Sequence, residues 1–335
     1  MLYVSTRNSS ETYTAHVALT RKKAADGGCF VPFKIPSYSE QDIKDLKEKP
    51  FNQILAEILN QFFSSRLTPW DVDLVIGRSN IKTLAMNHRL MVAELWHNPA
   101  GDFSYLYERL HGRLVQAADS EITPWFKTAV RIATCFAVYG QLLSEQILQE
   151  GAQFDVAVPA DDVMCPVAVC YARKMGLPIN TIICSCSSEE NMWDLVKRGM
   201  ISTSALTDDA CTGIEALVYV VLGGLASVTF ADACTNRKPY NVGEILLPDF
   251  TKGLDCTVAG EKRTLSTINS FFRSNRYIID PYAAICYSGI QDFRSSTGSS
   301  RMTLLFSEHT PRDFSKQISE ATGIPESKLQ EFVKI

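Results

Sequence analysis

Residues 154–186 read FDVAVPADDVMCPVAVCYARKMGLPINTIICSC. Phe154–Pro159 is a short apolar run bounded by turn signals, the pattern of a buried strand. Met164–Met175 places Val167, Ala168 and Tyr171 on one side of a helix. Gly176-Leu177-Pro178 stops that helix, and Thr181–Cys186 reads as the next strand. Strand, helix and strand in this order form a right-handed parallel unit. The stretch therefore predicts an α/β fold with a mainly parallel sheet and flanking helices. Near the end of the chain, Met302–Ser307 (MTLLFS) is another buried strand, followed by a helix over 311–322 that opens on Thr310-Pro311.

Upstream, the sequence from Met1 to about Asn80 reads as mostly helical. Thr14–Ala25 has helical composition and ends at Asp26-Gly27-Gly28, a turn signal. Ser39 and Asp42 are spaced as a capping box. Phe51, Ile54, Leu55, Ile58, Leu59 and Phe62 follow a 3.6-residue period. Thr68-Pro69-Trp70-Asp71 and Thr123-Pro124-Trp125 each supply a threonine cap followed by proline in the first turn.

The 335 residues suggest about two domains. A hydrophobic content of 46% with 21% charged residues is that of a globular chain. A net charge of −4, with no basic run carrying interleaved aromatics, argues against a nucleic-acid binder. The longest apolar run, Ile214–Phe230, is broken by Gly223-Gly224 and carries Glu215, so it reads as core helix and not as a membrane span. Ten scattered cysteines, with no secretory signal over Met1–Ala15, read as reduced thiols of a cytoplasmic protein. Cys165/Cys170 and Cys184/Cys186 have no second pair or histidine at ligand spacing, so no metal is expected.

Glu94–Leu106 reads ELWHNPAGDFSYL, which resembles the segment ELFHGPTLAFKDF of the threonine synthases, a family of fold-type-II pyridoxal phosphate (PLP) enzymes. Glu94, Leu95, His97, Pro99 and Phe103 match. The resemblance runs along the chain. Tyr3–Arg7 (YVSTR) resembles YxSTRG, with Asn8 at the glycine, and Ala25–Pro36 (ADGGCFVPFKIP) resembles DGGLYVPE-IP. Val158–Pro159 with Tyr171–Pro178 resembles VPTGNFGD…AKKMGLP. Gly213–Gly224 follows NFERLLFYLLGG, Tyr277–Ala284 (YIIDPYAA) is similar to YLLDPHTA, and Leu304–Phe314 (LLFSEHTPRDF) is similar to VLSTAHPAKF. The resemblance implies a threonine-synthase-like N-terminal domain over 1–93 and the large PLP-fold domain over 94–335.

The departures fall on the chemistry that the resemblance implies. Ser104 stands at the lysine that carries PLP as an imine, and a hydroxyl cannot form one. The phosphate-cradling GNFG is Asp161-Asp162-Val163-Met164 here. Two carboxylates there would repel a phosphate by on the order of a kcal/mol or more. Ser307 stands at the threonine that partners the pyridine nitrogen, and Glu308 replaces a neighbouring alanine. The family's small subdomain, with its SGDTG loop, has no counterpart. Only Tyr105–Ile122 separates Ser104 from Thr123-Pro124-Trp125-Phe126-Lys127, which aligns with the family helix NSINWARILPQ, so the deletion lies between about 105 and 122.

These departures lead to the expectation of a catalytically inactive threonine-synthase-like protein with a binding, regulatory or assembly role. No catalytic residue and no bound PLP are expected. The residual pocket comprises His97, Ser104, Asp161, Asp162, Ser307 and Glu308. Asp161, Asp162 and Glu308 are read either as an acidic site for a cation or amino group, or as a solvated turn at a strand end. A Ser104 nucleophile served by His97 or His309 lacks a Gly-x-Ser-x-Gly elbow. Lys127 reads as a surface lysine and not as a relocated imine former. Two other readings stand beside this one: an active threonine synthase or PLP lyase acting on O-phosphohomoserine, and a module that binds an amino-acid-like ligand without turnover. The surface left by the missing subdomain makes a protein partner or a second copy of the chain a further expectation.

Overall fold

The computed structural model describes residues 1–76, 81–98, 100–115, 121–189, 191–329 and 331–333. Pro99 and residues 116–120 of the expected deletion lie outside the described residues. The first strand, β1 (Leu2–Ser5), pairs antiparallel with β2 (Tyr13–Thr14) and β3 (Phe30–Pro32). The YVSTR and GGCFVP motifs thus face each other in one small sheet, Tyr3 opposite Pro32 and Val4 opposite Val31. The sequence pattern did not disclose these strands inside the helical N-terminal region, and the helix expected over Thr14–Ala25 is confined to Ala15–Thr20. The helices after Ser39, Thr68 and Thr123 begin where their caps predict, whereas the helix expected over 311–322 opens as a 3₁₀ turn, Pro311–Phe314, before the α-helix Ser315–Thr322. Ser39 accepts the Asp42 N–H at 3.2 Å while the Asp42 carboxylate accepts the Ser39 N–H at 2.8 Å. Thr68 and Asp71 repeat the arrangement ahead of helix Pro69–Ile76. Helix Phe51–Phe63 buries the predicted apolar stripe.

The central sheet contains β4 (Lys82–Asn87), β5 (Leu90–Glu94), β6 (Phe154–Pro159), β7 (Ile179–Cys186), β10 (Leu254–Val258) and β11 (Thr303–Ser307). A small separate pair is formed by β8 (Met200–Ile201) and β9 (Tyr240–Asn241). The spatial order is β10-β7-β6-β11-β5-β4, parallel throughout except for the edge strand β4. The 93/94 division expected from sequence falls inside β5. The β4–β5 hairpin carries the chain from the N-terminal helices directly into the sheet.

Both faces of this sheet are covered, as parallel strands require. Met91, Ala93, Val156, Val158, Ile182, Cys184, Leu304 and Phe306 point to one core. The alternate residues Leu90, Val92, Ala157, Ile183 and Leu305 point to the other. Helices Pro124–Ser144, Met164–Lys174 and Asp208–Leu222 pack on the first face, and Glu261–Asn275 and Pro281–Thr297 on the second. Helix Pro124–Ser144 starts at Thr123, whose hydroxyl accepts the Phe126 N–H at 3.2 Å. It lies so close to helix Phe51–Phe63 that a Cβ on Gly140 would sit 2.5 Å from Ile54 Cδ1 and 3.0 Å from the Leu46 carbonyl. Only glycine allows that approach.

Two of the quoted motifs meet in the core. Arg7 donates from Nη2 to Glu215 Oε2 at 2.7 Å and from Nε to Oε1 at 3.1 Å. The Thr6 hydroxyl donates to the same buried carboxylate. This ion pair ties the N-terminal sheet to helix Asp208–Leu222. Gly223, with φ +92°, ends that helix and separates it from Gly224–Thr235. Among the described residues no helix is long and apolar enough to cross a membrane.

Candidate functional site

In open parallel sheets, ligands collect at the carboxyl ends of the strands, where neighbouring connections diverge. Here β5 ends at Glu94, β6 leads to Asp161-Asp162, and β11 ends at Ser307 before Glu308. The segments after β5 and β11 are zipped together. Leu95 N–H donates to the Ser307 carbonyl at 2.8 Å, Phe103 N–H to the Glu308 carbonyl at 2.9 Å, and Thr310 N–H to the Gly101 carbonyl at 3.0 Å. His309 Nδ1 lies 3.3 Å from Asp102 Oδ2.

Ser104 is exposed at the first position of helix Ser104–Leu114, and its N–H donates to Asp102 Oδ1 at 2.6 Å. Lys127 is also exposed. Beyond Ser104, the exposed positions of the helix include Glu108, Arg109 and Arg113.

The acidic residues have a partner that the sequence reading overlooked. Arg131, on helix Pro124–Ser144, donates from Nη1 to Asp162 Oδ2 at 2.9 Å and from Nη2 to Glu308 Oε2 at 3.0 Å. Nε reaches Glu308 Oε1 at 3.3 Å, so the glutamate is held by both arms of the guanidinium fork. Arg131 also sits 5.5 Å over the Tyr107 ring and keeps only 11% of its side chain exposed. Asp162 and Glu308 thus form neither a free acidic site nor a simple solvated turn, since the chain supplies their counter-ion itself. A sequence signal for it existed: Arg131 is a lone charge among the apolar residues Ala129, Val130, Ile132 and Ala133.

Ser307 is likewise engaged. Its hydroxyl accepts from Trp96 Nε1 at 3.2 Å and donates to Asp280 Oδ2 at 2.7 Å. Asp280 is fully buried and caps helix Pro281–Thr297 through the N–H groups of Tyr282 and Ala283, at 2.9 and 3.0 Å. Burial pushes its carboxyl above the usual range, against the pull of these hydrogen bonds. Trp96, next to the matched His97, thus lies against the hydroxyl that the resemblance assigns to the pyridine nitrogen.

His97 belongs to a different cluster. Its Nε2 lies 2.5 Å from Glu94 Oε2, the Lys82 ammonium lies 3.3 Å from the same oxygen, and the Tyr277 hydroxyl donates to Oε1. Burial raises the Glu94 carboxyl, but the His97 and Tyr277 hydrogen bonds outweigh it and leave Glu94 below its ordinary value. Asp161 is set apart as well, accepting the Ser187 N–H at 3.2 and 3.3 Å. Of the six residues predicted to share one pocket, three border different cavities. Glu308 borders a cavity of about 20 Å³ beside Arg131, Phe103 and Cys165. His97 borders a second cavity and Asp161 a third, of about 370 Å³.

PLP does not fit the residues at the aligned position. The place of the imine-forming lysine is held by Ser104. The Met164 N–H at the start of the following helix already donates to Asp162 Oδ1 at 3.0 Å, so the loop's own carboxylate occupies a donor that a phosphate would need. The cavity beside Arg131 has room for about one water, whereas cofactor pockets typically span several hundred Å³. Among the described residues, no group of three or more His, Cys, Asp or Glu side chains is arranged to hold a metal.

A mainly parallel sheet flanked by helices, with candidate side chains near its carboxyl edge, makes this an α/β protein whose fold is similar to that of threonine synthases. In sequence, too, the chain is similar to threonine synthases and threonine synthase-like proteins. Residues 2–80 match the family model described as threonine synthase N terminus. Threonine synthase-like 1 of Macaca fascicularis is 20% identical over 196 residues, 55% of this chain and 26% of that protein. The matched part of the chain thus spans about a quarter of this curated relative. The crystal structure of PLP-bound threonine synthase from Brucella melitensis superposes with a TM-score of 0.79 at 16% identity, covering 97% of this chain and 92% of that one. Yeast threonine synthase superposes with a TM-score of 0.75 at 15% identity, covering 99% and 94%. At these identities the structural likeness speaks for the fold.

Proposed function

We propose that this chain is a catalytically silent threonine-synthase-like protein with a binding or assembly role. The observation that carries the reading is Arg131. Its guanidinium, paired with Glu308 and Asp162 and covered by Tyr107, occupies the carboxyl edge of the sheet where a cofactor would have to enter. Loss of the lysine alone would leave an open cleft able to hold PLP noncovalently. Loss of the lysine together with an internal ion network supports loss of cofactor binding altogether.

The test is spectroscopic. Purified protein incubated with PLP and desalted should show no visible absorption band and release no phosphate from O-phosphohomoserine. A retained band, with a borohydride-fixed adduct on a lysine, overturns the reading. Association over the face of helix Ser104–Leu114 is a separate part of the proposal. Light scattering should give a mass above that of one chain, or a stable complex with another protein. A single monomeric species at working concentration counts against it.

A further inference from the structure

Outside the aligned cofactor position, a cavity of about 320 Å³ opens beside the carboxyl end of β5. Its lining includes Lys82, Trp96, Arg276, Tyr277, Glu331 and Phe332. Among the described residues, two charges of opposite sign border it without a hydrogen-bond or ion-pair partner. Arg276 follows helix Glu261–Asn275 in the left-handed conformation, φ +53°, where glycine is the usual residue. Among the described residues, its guanidinium makes no hydrogen bond or ion pair. The Glu331 carboxylate is equally unpaired among them, and the two do not pair with each other although both border the cavity. The segment bearing Glu331 is fixed in place, since Arg312 Nη2 donates to the Val333 carbonyl at 2.9 Å and Phe332 packs edge-on against Phe272.

The remaining polar groups of the wall are committed elsewhere. Glu94 is satisfied by Tyr277, His97 and Lys82, and Trp96 Nε1 donates to Ser307. The aromatic wall formed by Trp96, Tyr277 and Phe332 therefore offers area and no free donor.

We propose that this cavity binds a zwitterionic α-amino acid with an apolar or aromatic side chain. Arg276 receives the carboxylate, Glu331 receives the ammonium, and the side chain lies against Trp96, Tyr277 and Phe332. A guanidinium matches a carboxylate in planar, two-bonded geometry, and an opposite free charge across the cavity selects against simple anions. The inference deepens the binding reading above and names its ligand, but it does not depend on the fate of PLP. The absorption test and the test below can fail independently.

The full chain is titrated calorimetrically with each of the twenty free amino acids. At least one apolar or aromatic amino acid should bind. Its decarboxylated amine and its deaminated acid should each bind about tenfold or more weakly. Arg276→Ala and Glu331→Ala should each weaken binding to the same degree. Both side chains are exposed, so circular dichroism should show these variants folded. Lys127→Ala, on an exposed position of another helix, should leave binding unchanged. No binding at millimolar concentration, or binding untouched by both the Arg276 and the Glu331 variants, overturns the proposal.

Discussion

Arg131→Ala should destabilise the chain by about 3–5 kcal/mol in urea unfolding, the loss typical when a buried ion pair is deprived of one member. Glu308 keeps only 14% of its side chain exposed and, among the described residues, would be left with no cation at hydrogen-bonding distance. Asp162 is about half exposed and would lose little. The same asymmetry ranks the partners. Glu308→Ala should cost less than Arg131→Ala, because Arg131 would keep its bond to Asp162 and its contact with the Tyr107 ring. Replacing both members together, Arg131→Met with Glu308→Leu, should recover most of the loss, since apolar residues of similar volume commonly match a buried pair. A loss below about 1 kcal/mol for Arg131→Ala would place this network with exposed pairs of little worth. It would also remove the physical ground for a closed cleft.

The network explains which part of the site was legible in the sequence. Asp161-Asp162 and Glu308 stood out because they replace small residues of a phosphate loop and a strand end. What balances them was hidden, since Arg131 lies 31 residues from Asp162 and 177 from Glu308 in the chain. No local pattern joins residues so far apart. A charge inside the apolar run around Val130 and Ile132 is nevertheless expensive to bury alone, so it demanded a counter-ion, and the unpaired acids were the available ones. Proximity in a motif also misled the grouping of the site. Asp161 and Asp162 are adjacent, yet one holds the Ser187 N–H and the other holds Arg131. Ser307 and Glu308 are adjacent too, and one is spent on Trp96 and Asp280 while the other faces Arg131.

The fold divides in a similar way between local and distant causes. Phe154–Pro159 was readable because both of its faces are buried, so its apolar run has no interruption. The helices after Ser39, Thr68 and Thr123 were readable because caps act within one turn. The last of the threonine–proline starts behaved differently, with Pro311–Phe314 forming a 3₁₀ turn before the α-helix Ser315–Thr322. The strands β1, β2 and β3 span only two to four residues each, too few to show a period of two, and β1 and β3 pair across more than twenty residues. Edge strand β4 was hidden for another reason. Its residues alternate only between partly buried and exposed, so they carry little apolar signal.

Arg7→Ala should cost about 3–5 kcal/mol and exceed the cost of Glu215→Gln, which should be about 1–3 kcal/mol. The reasoning turns on which partner is stranded. Glu215 has 2% of its side chain exposed, so removing Arg7 leaves a carboxylate inside the protein with, among the described residues, only the Thr6 hydroxyl as a side-chain donor. Arg7 has 27% exposed and also donates to the Asp26 carbonyl at 3.1 Å, so after Glu215→Gln it can turn to water and keep that bond. Because Arg7 belongs to β1's flank and Glu215 to helix Asp208–Leu222, the Arg7→Ala loss should appear first as detachment of the N-terminal sheet. Limited proteolysis should then cut the first thirty or so residues before the central sheet unfolds, with the urea midpoint of the remainder shifted less. Equal costs for the two variants, or cleavage spread evenly over the chain, would show that this pair does not fasten the N-terminal strands to the α/β body.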